Sequence, residues 1–178
     1  MQSSELNSIL TRLEESEDNT TIFDDSWSQG RSAYGGIATA FAVTGMRKLL
    51  NSPKPLRSLM VSFIAPVPPG EVKVEAEIQR KGKNVTQMSG NVICNGELCL
   101  QAMAAFGKPR EGLKVKAQHD FNPSPKESGV KFQDHKKRVP GFLQFFEGFW
   151  VDGGLPFGGN PANELNLWIR HKTDMTGL

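Results

Sequence analysis

A chain of 178 residues, 38% hydrophobic and 22% charged with a net charge of +2, has room for one domain or for one and part of a second. So small a net charge carries no argument for nucleic acid as a partner. No run approaches the roughly 18 apolar residues of a membrane span, and the N-terminus lacks the charged-then-apolar pattern of a signal peptide. Residues 1–21 open on an amphipathic spacing of Leu6, Ile9, Leu10 and Leu13, which predicts a leading helix. A short strand is expected at Thr21 to Phe23, followed by a loop that carries Trp27, Arg31 and Tyr34.

The stretch Gly35 to Leu50, G-G-I-A-T-A-F-A-V-T-G-M-R-K-L-L, predicts a helix opened by a glycine pair. Apolar or small residues cover most of its circumference, the pattern of a buried helix rather than a surface one. At about 1.5 Å per residue it would run roughly 24 Å. Arg47 and Lys48 fall near its C-terminal end, where positive charge suits the helix dipole. Asn51 to Pro55 stops it, because proline cannot continue the hydrogen-bond ladder. We read it as the core helix around which a sheet wraps, with unpaired N–H groups at its N-terminus for developing negative charge.

Strands are expected at Leu56 to Ala65, at Glu71 to Arg80 from its period-2 alternation, and at Asn84 to Cys94 and Glu97 to Phe106. The last two read as a hairpin across Asn95-Gly96, a pair favoured in type I′ turns. Helix followed by antiparallel meander makes an α+β layer. Cys94 and Cys99, five apart in one apparent strand, are expected on opposite faces, which speaks against a bridge and for a reducing cytoplasm. Residues 109–139 lose the periodicity and read as a linker rich in Pro, Gly and charge. It ends in Lys136-Lys137-Arg138, read as a solvated face. From Pro140 the chain turns apolar and aromatic, with two strands joined by a Gly-rich loop. Two such strands cannot bury their own apolar faces and must pack on something.

The order W-S-Q-G-R-S-A-Y-G-G, then P-L-R-S-L-M-V-S-F-I-A-P-V-P-P-G, then I-Q-R-K-G-K-N-V-T-Q-M-S-G-N-V-I-C-N-G-E-L-C-L-Q-A-M-A-A-F-G resembles the first half of an acyl-CoA thioesterase II type protein. The resemblance covers residues 20 to 108. It resumes at Phe142 to Arg170, where F-W-V-D-G-G-L-P-F-G-G and N-L-W-I-R are similar to the opening strands of a second unit. It implies a hotdog fold, an antiparallel sheet wrapped around a long central helix. Residues 1–108 would form one complete hotdog, 109–139 a linker and 140–178 the first strands of another. The implied activity is hydrolysis of fatty acyl-CoA to free acid and CoA, in a cytoplasmic protein and without a cofactor. In that family the catalytic Asp lies on the second central helix, with Thr and Gln partners on later strands. Those positions are expected after Leu178, so the carboxylate is expected from the missing second half, either because this chain is a fragment or because the remainder is a separate companion polypeptide. Exposed sheet edges suggest a companion C-terminal fragment or a homo-oligomer as partner. The competing reading is a non-catalytic acyl-CoA-binding or assembly module.

Thioester hydrolysis needs a polarised carbonyl and a positioned water. Gly35 and Gly36 are the candidate backbone donors to the carbonyl oxygen, although glycines there also suit a tight turn or close helix–sheet packing. Tyr34, the only tyrosine, is a candidate wall for the acyl or pantetheine channel or an ordinary core ring. Arg57, Arg80, Lys81 and Lys83 are candidates to meet the phosphates of CoA. Asp24 and Asp25 read as turn or cap residues, and Thr86 and Gln87 as exposed strand polars. His119-Asp120-Phe121-Asn122-Pro123 resembles the start of a hotdog hydratase signature, but Pro125 stands where its His is needed. His135 and His171 lack partners at triad spacing, and no cluster argues for a metal.

Overall fold

The computed structural model describes residues 5–112, 115–116, 122–132, 140–154, 159, 161 and 164–175. They fall into two compact units, Met1–Glu111 and Gly112–Leu178. His119 to Phe121 of the hydratase-like stretch, His135 and the run Lys136 to Arg138 lie outside the described residues.

In the first unit, α1 (Leu6–Glu15) buries Ile9, Leu10 and Leu13 against the second helix and the first strand. The strand β1 (Thr20–Phe23) follows. The expected loop then holds a 3₁₀ turn, Asp25–Trp27, and a small hairpin of β2 (Ser28–Gln29) and β3 (Ser32–Ala33), with Gly30 in the left-handed region. The central helix α2 (Gly35–Lys48) closes two residues earlier than expected. The amides of Leu49 and Leu50 turn back to the carbonyls of Met46 and Arg47 at 3.1 and 3.0 Å. Ile37, Ala38, Phe41, Ala42 and Met46 are buried, and only Gly36 and Arg47 of the helix are exposed.

Four long strands follow: β4 (Leu56–Phe63), β5 (Gly70–Lys81), β6 (Val85–Cys94) and β7 (Glu97–Gly107). The sheet is antiparallel, in the order β1-β5-β6-β7-β4. Thus β5 to β7 form the meander, while β4 crosses to the edge beside β7. The crossing segment is tied down where Ala33 N donates to Val67 O (2.7 Å) and Val67 N to Ser32 Oγ (3.0 Å). Period-2 alternation aims Val72, Val74, Met88, Val92, Ala102, Ala104 and Phe106 at α2. Asn95 and Gly96 both take positive φ (52° and 80°), as a type I′ turn requires.

The cysteines depart from expectation. Cys94 ends β6 and Cys99 lies in β7, where the register shifts past Val92 and two buried residues, Cys99 and Leu100, follow one another. The extra residue cancels the parity on which opposite faces were inferred. Both thiols are therefore buried and both are free, with Cys99 Sγ donating to the Glu97 carbonyl at 3.5 Å.

The second unit holds a three-stranded antiparallel sheet of β8 (Val130–Lys131), β9 (Phe146–Asp152) and β10 (Asn166–His171), in the order β10-β9-β8. So residues 126–131, inside the segment read as linker, form a 3₁₀ turn and a strand paired to β9. The Phe132 ring lies tilted against Trp150 (4.8 Å between centroids) and His171 lies against Phe145 and Phe146. Asp152 accepts from the amide and hydroxyl of Ser124 at 3.2 and 2.8 Å, and Trp168 Nε1 donates to the Ser124 carbonyl at 2.9 Å. The Arg170 side chain, 2.6 Å away across the pair β9–β10, holds the Glu147 carboxyl below the usual range.

Candidate active site

The entry to α2 is fastened before the helix begins. Tyr34 N donates to the carbonyl of Trp27 (2.8 Å), a fully buried ring, and Tyr34 O accepts from Ile37 and Ala38 at 3.0 and 3.2 Å. As the first two helical residues, Gly35 and Gly36 have N–H groups with no carbonyl one turn back to bond. A methyl on Gly36 would stand 2.4 Å from Tyr34 Cε1, and one on Gly35 would stand 3.2 Å from Phe63 Cζ. Two aromatic rings therefore flank the pair, one from the residue before the helix and one from the end of β4. Phe63 is 61% exposed, so an apolar wall stands open beside the donors. Sequence reasoning singled out Tyr34 but missed Phe63. The signal was present, since alternation along β4 sets Phe63 on one face with Leu59 and Val61.

The cationic candidates do not join this group. Arg57 precedes Phe63 by six residues on β4, about 20 Å at strand rise. Its Nε donates to the Gly107 carbonyl (3.0 Å). Arg80 closes β5 and Lys83 sits in the following turn, both at that same remote end of the sheet. The site expected from sequence thus divides into an aromatic and glycine cluster and a separate basic end.

Other candidates have structural employment. Asp24 caps the 3₁₀ turn, accepting from the amide (2.9 Å) and hydroxyl of Ser26. Thr86, expected to be exposed, is buried, because Lys54 Nζ reaches across the sheet end to donate to its Oγ1 (2.8 Å). Gln87 is exposed as expected. Among the described residues, no group of three His, Cys, Asp or Glu could hold a metal ion.

Comparison with known proteins bears on this arrangement. Residues 23–107 match the family model of the acyl-CoA thioesterase N-terminal domain. That segment, a little under half of the chain, is similar to this family. The match contains the whole entry to α2 and every long strand of the first unit. A hotdog-fold protein of unknown function from Alicyclobacillus acidocaldarius superposes with a TM-score of 0.75 at 17% identity, over 86% of this chain and 57% of that one. A candidate thioesterase II from Thermobifida fusca gives 0.69 at 15% identity, over 85% and 56%. The acyl-CoA thioesterase II TesB2 of Mycobacterium marinum gives 0.60 at 18% identity, over 80% and 52%. At such identities the likeness shows the fold, which is the hotdog fold of the α+β class. The chain spans a little over half the length of these three proteins. No curated protein sequence matches it.

Proposed function

We propose that this chain supplies the N-terminal half of a site that hydrolyses fatty acyl-CoA to free acid and CoA. The observation that carries the reading is the pair of bare amides at Gly35 and Gly36, set between two rings inside a segment similar to the thioesterase family. The thioester carbonyl oxygen accepts from one of these N–H groups, at the positive end of the helix dipole. The acyl or pantetheine chain lies along Tyr34 and Phe63. Water adds to the carbonyl carbon, the C–S bond breaks, and the leaving thiolate takes up a proton. A carboxylate from a second hotdog half or a companion chain, seated against the open face of β4, orients that water. Arg57, Arg80 and Lys83, proposed from sequence for the phosphates of CoA, lie at the opposite end of the sheet from Phe63.

Release of free thiol from short and medium acyl-CoAs tests this, with calorimetry for binding. The chain is assayed alone and together with any fragment that co-purifies with it. Hydrolysis is expected to fall about a hundredfold in Gly36→Ala, whose methyl displaces the Tyr34 ring over the donors. Unchanged turnover would remove the glycine pair from the mechanism. Binding without hydrolysis under every condition would mark a non-catalytic acyl-CoA module.

A further inference from the structure

The end of the sheet remote from Phe63 gathers charge of one sign. Lys54 and Arg57 lead into β4, Arg80 and Lys81 close β5, Lys83 lies in the next turn and Lys108 follows β7. Backbone bonds hold these segments side by side. Gly107 N donates to Pro55 O (2.9 Å), Lys108 N to Asn84 O (3.0 Å) and Gly82 N to Val85 O (2.8 Å). Residues 53–57, 80–86 and 106–108 contain no Asp or Glu. Among the described residues, none of the six cations makes an ion pair. Lys54 and Arg57 reach only neutral oxygens, and the remaining four are exposed.

Three strand spacings, about 14 Å, separate β4 from β5 at this end. Cations set so widely do not converge on one phosphate, but they do match an extended anionic surface. Apolar residues are interleaved with them: Leu56 and Val85 are 41% and 37% exposed, and Pro53 and Pro55 are exposed too. That mixture suits a lipid interface, where cations meet headgroup phosphates and apolar side chains enter the layer beneath. A single-stranded nucleic acid would call for exposed rings on which to stack its bases, and the one aromatic residue of these segments, Phe106, is buried. We propose that this end of the sheet docks on the anionic surface of a phospholipid bilayer.

The test is co-sedimentation of the full chain with vesicles of phosphatidylcholine, alone or with phosphatidylserine added, at low and high salt. Binding is expected only to the vesicles with phosphatidylserine, and to weaken as salt screens the attraction. Each cation at the surface is worth about fivefold in affinity. Replacing Arg80, Lys81 and Lys83 together by Gln should therefore weaken binding on the order of a hundredfold. Circular dichroism checks that this variant keeps its fold. Val85→Ser should weaken binding by a factor that does not depend on salt. Equal binding to both vesicle types, or parent-like binding by the triple variant, overturns the proposal. Tighter binding to an RNA or DNA oligonucleotide than to the anionic vesicles overturns it in favour of nucleic acid. Displacement from vesicles by free CoA overturns it too, and returns Arg57, Arg80 and Lys83 to substrate recognition.

Discussion

Gly45 lies tight against the sheet: a methyl there would stand 2.4 Å from Val74 Cγ1, on a side chain itself fully buried. Overpacking of this kind costs about 1–3 kcal/mol, and the better helix propensity of alanine returns up to about 1. Gly45→Ala should lose roughly 1–2 kcal/mol in urea unfolding. With Val74→Ala beside it the new methyl has room, so the double variant should be less destabilised than the two losses added; strict additivity would place the strain elsewhere. Cys94 makes a pH prediction. Burial, then its neighbours Cys99 and Glu97, push its thiol from an ordinary 9.0 up to about 12. The unfolded chain ionises first as pH rises, so this contribution is whole below about pH 9 and is lost between about 9 and 12. Urea midpoints should fall across that window, and less steeply in Cys94→Ala; equal slopes would mean a solvated thiol. The two residues also show where sequence reasoning stops. Gly45 was legible as a small residue on a buried helix. The pairing of Cys94 with Cys99 was not, because one extra residue in β7 shifts every later side chain by one place and leaves no mark in composition.

At the scale of elements, α1 depends on a bond that spans 35 residues. Lys48, at the end of α2, donates from Nζ to the carbonyls of Leu13 and Ser16 at 3.0 and 2.6 Å, capping the end of α1. Hydrogen bonds from a charged donor are worth about 1.5–3 kcal/mol, so Lys48→Met should cost up to that much. The loss should appear first as faster amide exchange in the last turn of α1; uniform protection would show that apolar contacts of Ile9 and Leu13 alone hold the helix. α1 and β5 were legible because each carries a period, 3.6 or 2, and α2 because it is apolar nearly all round between a glycine pair and a proline stop. The two-residue strands and 3₁₀ turns carry none. Strand order was half legible: hairpins declare themselves through Asn95-Gly96, whereas the placing of β4 beside β7 rests on contacts between residues forty apart. The same limit hid Thr86, whose burial depends on a lysine from another segment.

At the scale of the whole molecule, the unsolved term is the exposed flank of β4. Within the described residues its outer edge pairs with no strand. The face it shares with α2 shows Leu59 at 36% and Phe63 at 61% exposure, while Met60 on the other face reaches 65%. An unpaired edge bearing large apolar residues on both faces is a template for another strand, and natural proteins usually blunt such edges with charge or a bulge. Here β4 has one cation, Arg57, and one register shift, between Leu56 and Ser58, and both stand at the strand's far start. Pairing would cover Phe63 and with it the glycine end of α2, so the association and the proposed thioester site stand or fall together. We expect the purified chain to exceed the mass of one copy in light scattering, by self-association or by retaining a companion fragment. Met60→Lys with Phe63→Lys should return it to a single copy with little change in melting temperature, since both side chains are already more than half open to solvent. A parent chain that stays monomeric at every concentration, and still hydrolyses acyl-CoA, would show that the amides of Gly35 and Gly36 need no second wall.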